Sequence, residues 1–161
     1  MGLSDRLETV NASMADLPFS EQSFDLVWAE GSAYVIGVEN ALAGWKPLLR
    51  ADGCLVFSDM VWRTDTPDRE SIDFWREEYT DMQSVPARVA QIETAGYRLV
   101  EHFPISDRAW SNYYESLRAR VAELESELRS SAAMADIKRE VDVCTRFAHE
   151  FGYHFFVVNV A

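Results

Sequence analysis

The chain has 161 residues, 48% hydrophobic and 12% aromatic, with 27 acidic against 15 basic residues and a formal net charge of -12 at pH 7. This balance suits one globular domain with its own core. It disfavours electrostatic binding to nucleic acid or an anionic membrane, whose phosphates are repelled at long range, and makes a small or neutral ligand the expectation. Cys54 and Cys144 show neither metal-ligand spacing nor a disulfide framework, which fits a reducing cytoplasm. No apolar run approaches the about 18 residues of a membrane span, and the N-terminus lacks the charged and apolar regions of a secretory signal.

In chain order, Leu7 to Asn11 alternates weakly and is expected to be a short strand. Residues 12–23 form a loop anchored by Leu17, Pro18 and Phe19. Phe24-Asp-Leu-Val-Trp28 has the length and bulk of a buried strand, with Leu26 and Val27 expected in the core. A second loop opens on Ala29, Glu30 and Gly31. Val38 to Leu49 carries a helical stripe of Ala41, Leu42, Trp45, Leu48 and Leu49, with Pro47 bending or tightening its last turns. Asp52-Gly53 is expected to turn into a strand from Cys54 to Ser58, followed by a loop over 61–67.

Pro67 to Tyr79 reads as an amphipathic helix. Ser84 then caps a helix with Pro86 in its first turn, Val89 and Ile92 on its apolar face and Gly96 as its stop. Tyr97 to Phe103 is a strand. Trp110 to about Ser130 is a long helix by the spacing of Tyr113, Leu117, Val121, Leu124 and Leu128, and Met134 to Phe151 is another, ended by Gly152. Tyr153 to Val160 is apolar enough to close the sheet as a strand buried on both faces. The strands around Phe24–Trp28 and Cys54–Ser58 end in loops at one sheet edge. In an open α/β sheet, ligands bind beyond the carboxyl ends of the strands, which places Glu30 and Asp59 where chemistry is expected.

Four pieces in register carry a resemblance: Ala12-Ser-Met-Ala-Asp-Leu-Pro-Phe19, Phe24-Asp-Leu-Val-Trp28, Leu49-Arg-Ala-Asp-Gly-Cys-Leu-Val56, and Ala95-Gly-Tyr97 before a strand. Together they resemble the second half of a class I S-adenosylmethionine-dependent methyltransferase of the small-molecule type. The implied fold is α/β, an incomplete Rossmann-like sheet supplying the third to the seventh strands, the last antiparallel, with flanking helices in a single domain. The glycines stand at 2, 31, 37, 44, 53, 96 and 152, so the Gly-x-Gly turn of the family is absent and the chain is expected to be a truncated member.

The resemblance implies S-adenosylmethionine as cofactor, with Ser13 and Met14 at the adenine and Ala29 and Glu30 beside the methyl-bearing end. Ser13 stands where many relatives carry Asp, and a hydroxyl still accepts from an exocyclic amine; its alternative is a turn residue. Glu30 is the catalytic candidate, able to attract the sulfonium or take a proton, the alternative being a solvated loop acid. Tyr34, Asp59, Trp62 and Trp110 are candidates for the pocket of a small-molecule methyl acceptor, an aromatic face there favouring a cation. Trp110, Tyr113 and Tyr114 would close it as a lid, with Tyr113 assigned to helix packing first. His102, His149 and His154 are assigned structural roles, and no metal site is expected. A folded but inactive binding module is the competing reading. An unpaired strand edge and an uncovered face further imply a homodimer.

Overall fold

A computed structural model describes residues 2–161. Five strands form one mixed sheet: β1 (Phe24–Ala29), β2 (Leu49–Trp62), β3 (Gln83–Ser84), β4 (Tyr97–Pro104) and β5 (Phe151–Val160). Five α-helices flank it: α1 (Val38–Trp45), α2 (Arg69–Glu78), α3 (Val85–Thr94), α4 (Asp107–Leu128) and α5 (Ala132–Arg146). The main strand order is β1-β2-β5-β4, with β3 pairing the far end of β2. β1 runs parallel to β2, while β5 runs antiparallel to both β2 and β4, the closing strand that the sequence implies.

β2 organises the sheet. Its 14 residues exceed the expected Cys54–Ser58 because β5 pairs along it from Cys54 opposite Asn159 to Trp62 opposite Phe151, giving Met60 to Trp62 partners that a loop would lack. Asp52-Gly53 is absorbed in a bulge rather than forming a separate turn: the β1 register jumps between Phe24 opposite Leu49 and Leu26 opposite Cys54. Gly53 fits the bulge because a Cβ there would stand 2.9 Å from the Arg50 carbonyl oxygen.

Side-chain alternation along β2 sorts the core into two clusters. Leu55, Phe57 and Val61 face α1 and α3, where Val38, Leu42 and Ile92 are fully or almost fully buried. Met60 faces the other way, with Phe74 and Trp75 of α2, Tyr114 of α4, and Val141 and Cys144 of α5. Capping fixes the helix starts: Asp68 accepts from the Glu70 amide, Ser84 from Ala87 and Ser106 from Ala109.

Several expectations are corrected. Leu7–Asn11 is not a strand: its apolar residues lie three apart, on opposite faces of any strand, and the segment stays exposed. α1 stops at Trp45, because Pro47 has no amide hydrogen to continue it, and Lys46–Leu48 tightens into a 3₁₀ turn. α5 ends at Arg146 instead of Phe151, and Gly152 lies inside β5, where pairing to Val61 holds the backbone extended. Leu26 is 49% exposed rather than buried, and Val27 is only half-buried against the α1 side. Leu26, Trp28 and Phe103 share one sheet face by register, and no described helix covers them: Trp28 is 60% and Phe103 43% exposed.

Candidate functional site

β1 carries the chain from the buried Ala29 straight to Glu30 and Gly31 at the sheet's edge. Gly31 adopts φ +59°, a left-handed conformation suited to glycine, and its amide donates to the Ser58 hydroxyl of β2 at 2.9 Å. This pins the loop after β1 against the interior of β2. Glu30 is exposed, and its carboxylate accepts from the Trp28 indole at 3.3 Å.

Beyond this edge opens a cavity of about 490 Å³. Its walls are aromatic: Tyr34 from the loop after β1, Trp75 and Tyr79 at the end of α2, Trp110 and Tyr113 from α4, and Tyr153 from β5. Tyr34 meets Tyr79 edge to face with centroids 5.8 Å apart, and Trp110 approaches Tyr153 at 6.4 Å. Three carboxylates join them, Glu30, Glu78 and Glu140, while none of the lining residues is Lys or Arg. The Trp75 indole N–H, on a side chain 8% exposed, finds no partner among the described residues.

Burial keeps Tyr79, Tyr114 and Tyr153 neutral. Burial, then the nearby Tyr34 and Asp59, pushes Tyr153 up to about 12. Burial, reinforced by the charge of Asp59, raises Tyr79 well above the usual phenol range, and burial does the same to Tyr114. These hydroxyls therefore act as hydrogen-bond donors, and proton acceptance near neutral pH falls to the carboxylates. Tyr114 donates to Glu140 at 3.1 Å, orienting that carboxylate at the cavity wall.

Behind the wall lies a buried ionic network. Asp59 and Arg88 are both 0% exposed, with Arg88 Nη2 2.7 Å from Asp59 Oδ2. Tyr79 donates to Asp59 Oδ1 at 2.8 Å and accepts from Arg88 Nη2 at 3.2 Å. Arg88 also donates to Asp81 Oδ2 at 3.0 Å, to the Asp81 carbonyl at 2.7 Å, and to Gln91. Tyr79 thus links the cavity to a charge pair beneath it.

The candidates from the sequence divide accordingly. Glu30, Tyr34 and Trp110 line one cavity together. Asp59 does not: it lies within β2 rather than just past it, on the α3 side opposite Ser58 and Met60, because alternation turns it away. Trp62 packs in the second core cluster against Phe151. Ala29 is core. Ser13 sits in a turn, accepting from the Ala15 amide at 3.3 Å, and the Met14 carbonyl accepts from the Trp45 indole at 3.0 Å. Met14 lines a separate cavity of about 320 Å³ over α1. Tyr113, assigned first to packing, is 60% exposed at the cavity, whereas its neighbour Tyr114 is buried. His154 and His102 pair across β5 and β4, Nε2 to Nδ1 at 2.7 Å, away from the cavity lining.

Tyr79, Glu140 and Tyr153 were not singled out from the sequence, since each sat in a segment read only for its periodicity. Arg88 left a readable signal: it falls four residues before Ile92, on the buried stripe of α3, where a cation requires a buried partner.

Comparison with known proteins agrees with this architecture. A family model described as a methyltransferase domain matches residues 2–57. A search of the curated proteins finds no match. Among solved structures, YjhP from E. coli superposes with a TM-score of 0.80 at 18% identity, covering 99% of this chain and 68% of that one. The [4+2]-cyclase SpnF superposes at 0.75 with 21% identity, covering 98% and 57%. A SAM-dependent methyltransferase from Geobacter sulfurreducens, solved with S-adenosyl-L-homocysteine, gives 0.72 at 14% identity, covering 97% and 65%. The chain thus spans 57% to 68% of the length of these three structures.

Proposed function

We propose that this chain, whose fold is that of the class I methyltransferases, binds S-adenosylmethionine at the carboxyl end of β1 and directs its methyl group to a small molecule held in the aromatic cavity. The observation that carries the reading is the position of Glu30: it closes the matched segment's first strand and lines the cavity at the same time.

The residues present fit the cofactor in part. A carboxylate among aromatic faces suits a sulfonium and an amino group, which Glu30 and Tyr34 would hold, with the Met14 segment left to the adenine. The sequence contains no Gly-x-Gly turn for close backbone approach, and no lysine or arginine lines the cavity to meet the cofactor's carboxylate. Bound there, the cofactor supplies an electrophilic methyl group. The chain's part is positioning: Glu30 fixes the donor end, the aromatic walls exclude water, and Glu30 or Glu140 accepts a proton when the nucleophile must shed one. Ser13 is proposed as an acceptor for the adenine amine, and Trp62 and Asp59 as supports rather than contacts.

Calorimetric titration of S-adenosylmethionine tests the reading. Binding at micromolar cofactor is expected, weakened several-fold in Glu30→Gln without loss of melting temperature. Absence of heat at millimolar cofactor would overturn it. A cytoplasmic setting is the matching proposal for location, since the cofactor is intracellular.

The proposal extends to self-association. β1 has a strand partner on one side only, and Leu26 and Trp28 beside its free edge are exposed. An edge with an adjoining apolar face pairs readily, and one twofold contact through Phe24–Ala29 hides both. No described segment of the same chain supplies cover: residues 7–11 form no strand, and α4 and α5 pack on their own sheet.

A further inference from the structure

The same cavity carries information about its occupant. Glu30, Glu78 and Glu140 place up to three negative charges around it, no lining residue offsets them, and the remaining surface is largely aromatic ring. An anionic acceptor, a carboxylate or phosphate, would meet like charge with no cation to pair it. A neutral apolar acceptor would gain nothing from the three carboxylates and would further desolvate the half-buried Glu140 with no cation beside it. A nitrogen bearing alkyl groups satisfies both features: its substituents pack on rings, and its positive charge is held by ring faces and carboxylates together.

Tyr34 and Tyr113 stand at 44% and 60% exposure, so they flank the way in, whereas Trp75 and Phe155 are buried deeper in the wall. Tyr114 holds Glu140 on the inner side.

We infer that the cavity recognises an alkylated amine whose nitrogen is the methyl acceptor, in its cationic form before or after transfer. This rests on the methyltransferase reading above for the reaction but not for the binding preference. In the reaction, the nitrogen lone pair forms the new C–N bond as the C–S bond of the sulfonium donor breaks, and that electron pair leaves on sulfur as a neutral thioether. The positive charge moves from sulfur to nitrogen. An amine bound as its ammonium first passes its N–H proton to Glu30 or Glu140, which frees the lone pair; a tertiary amine then ends quaternary, and a less substituted one ends as an ammonium with one more methyl group. The carboxylates therefore face positive charge at the start and at the end, and the site stays electrostatically matched along the whole displacement.

Choline and its neutral isostere 3,3-dimethylbutan-1-ol isolate the charge at constant shape, and 3,3-dimethylbutanoate adds the opposite charge. Titration of each into the whole chain, followed by tryptophan fluorescence without any methyl donor, is expected to show choline binding at least about tenfold tighter than the isostere, with the anion weakest. Tyr113→Leu and Glu140→Gln should each reduce choline binding several-fold while leaving the melting temperature unchanged within a degree or two, because Tyr113 is exposed and the Glu140 change keeps shape. Equal affinity for the neutral isostere, preference for the anion, or no binding of choline at millimolar concentration would overturn the inference. A chain that selects choline but ignores S-adenosylmethionine would keep the cation site and reject the methyltransferase reading.

Discussion

Asp59 and Arg88 meet in a site from which water is excluded, and each is tolerable there only because the other is present. Removing one partner leaves a buried charge uncompensated, so Arg88→Met should cost about 3–5 kcal/mol. The double change Asp59→Leu with Arg88→Met should recover much of that loss, because two apolar side chains need no partner. Chemical denaturation of the single and double variants measures the difference. The opposite result, a double variant as unstable as the sum of the singles, would show that Tyr79 and Asp81 depend on the pair more than the pair depends on itself.

His154 gives the residue scale a pH dependence. Burial first, then the charges of His102 and Arg63, hold its pKa down to about 4 against an ordinary 6.5. The folded state therefore binds fewer protons than the unfolded chain between those values, and stability rises with pH through that window. On acidification from pH 6.5 to 4 the chain should lose on the order of 3 kcal/mol from this group. The melting temperature of His154→Gln should fall less steeply over the same range. A parallel decline in the two proteins would remove His154 as the source. The sequence could assign the histidines only structural roles, since the pairing of His102 with His154 depends on β4 lying beside β5.

At the scale of elements, β2 is the member whose integrity the rest requires. Val56 is 6% exposed between β1 and β5, and Val56→Ala should cost on the order of 2 kcal/mol through the cavity it leaves. Gly53→Ala should cost about 1–3 kcal/mol, because its new methyl group meets backbone at the bulge rather than a side chain that can swing away. Thermal or urea unfolding reads both, and a Gly53→Ala protein as stable as the wild type would show that the bulge relaxes. These elements were legible where local signals suffice. Ser84 with Pro86 marked the start of α3 and Gly96 its end, and Pro47 marked the tightened turn at Lys46–Leu48, though not that α1 stops before it. Illegible were the limits set by partners in space. β2 extends to Trp62 because β5 lies beside it, and α5 yields Phe151 and Gly152 to the sheet for the same reason.

For the whole molecule, the arrangement of faces decides what remains open. One face of the sheet is closed by α1 and α3, and the carboxyl end of the other by α2, α4 and α5, so the cavity forms where that second group meets the loop after β1. Its place was legible in the principle that ligands gather beyond strand ends, which pointed to Glu30 at the lining and to Asp59 away from it, while Tyr34 and Trp110 came from the family resemblance. Tyr79, Glu140 and Tyr153 were not, because three elements distant in sequence must first converge. The uncovered part of the second face, with Leu26, Trp28 and Phe103, leads to the expectation of a dimer. Sedimentation at low micromolar concentration should show twice 18.4 kDa, and Trp28→Glu should shift it to a single chain. A stable, non-aggregating single-chain species in the wild type would contradict the dimer.

The proposed place for the methyl donor is the cavity beyond β1. Indole N–H resonances of the chain's five tryptophans report on it directly during titration with S-adenosyl-L-homocysteine. Trp28, whose indole is bonded to Glu30, and Trp110, in the cavity wall, should shift with a common saturation curve, while Trp62, packed against Phe151 away from the lining, should hold still. Still resonances for Trp28 and Trp110 at millimolar ligand would contradict it.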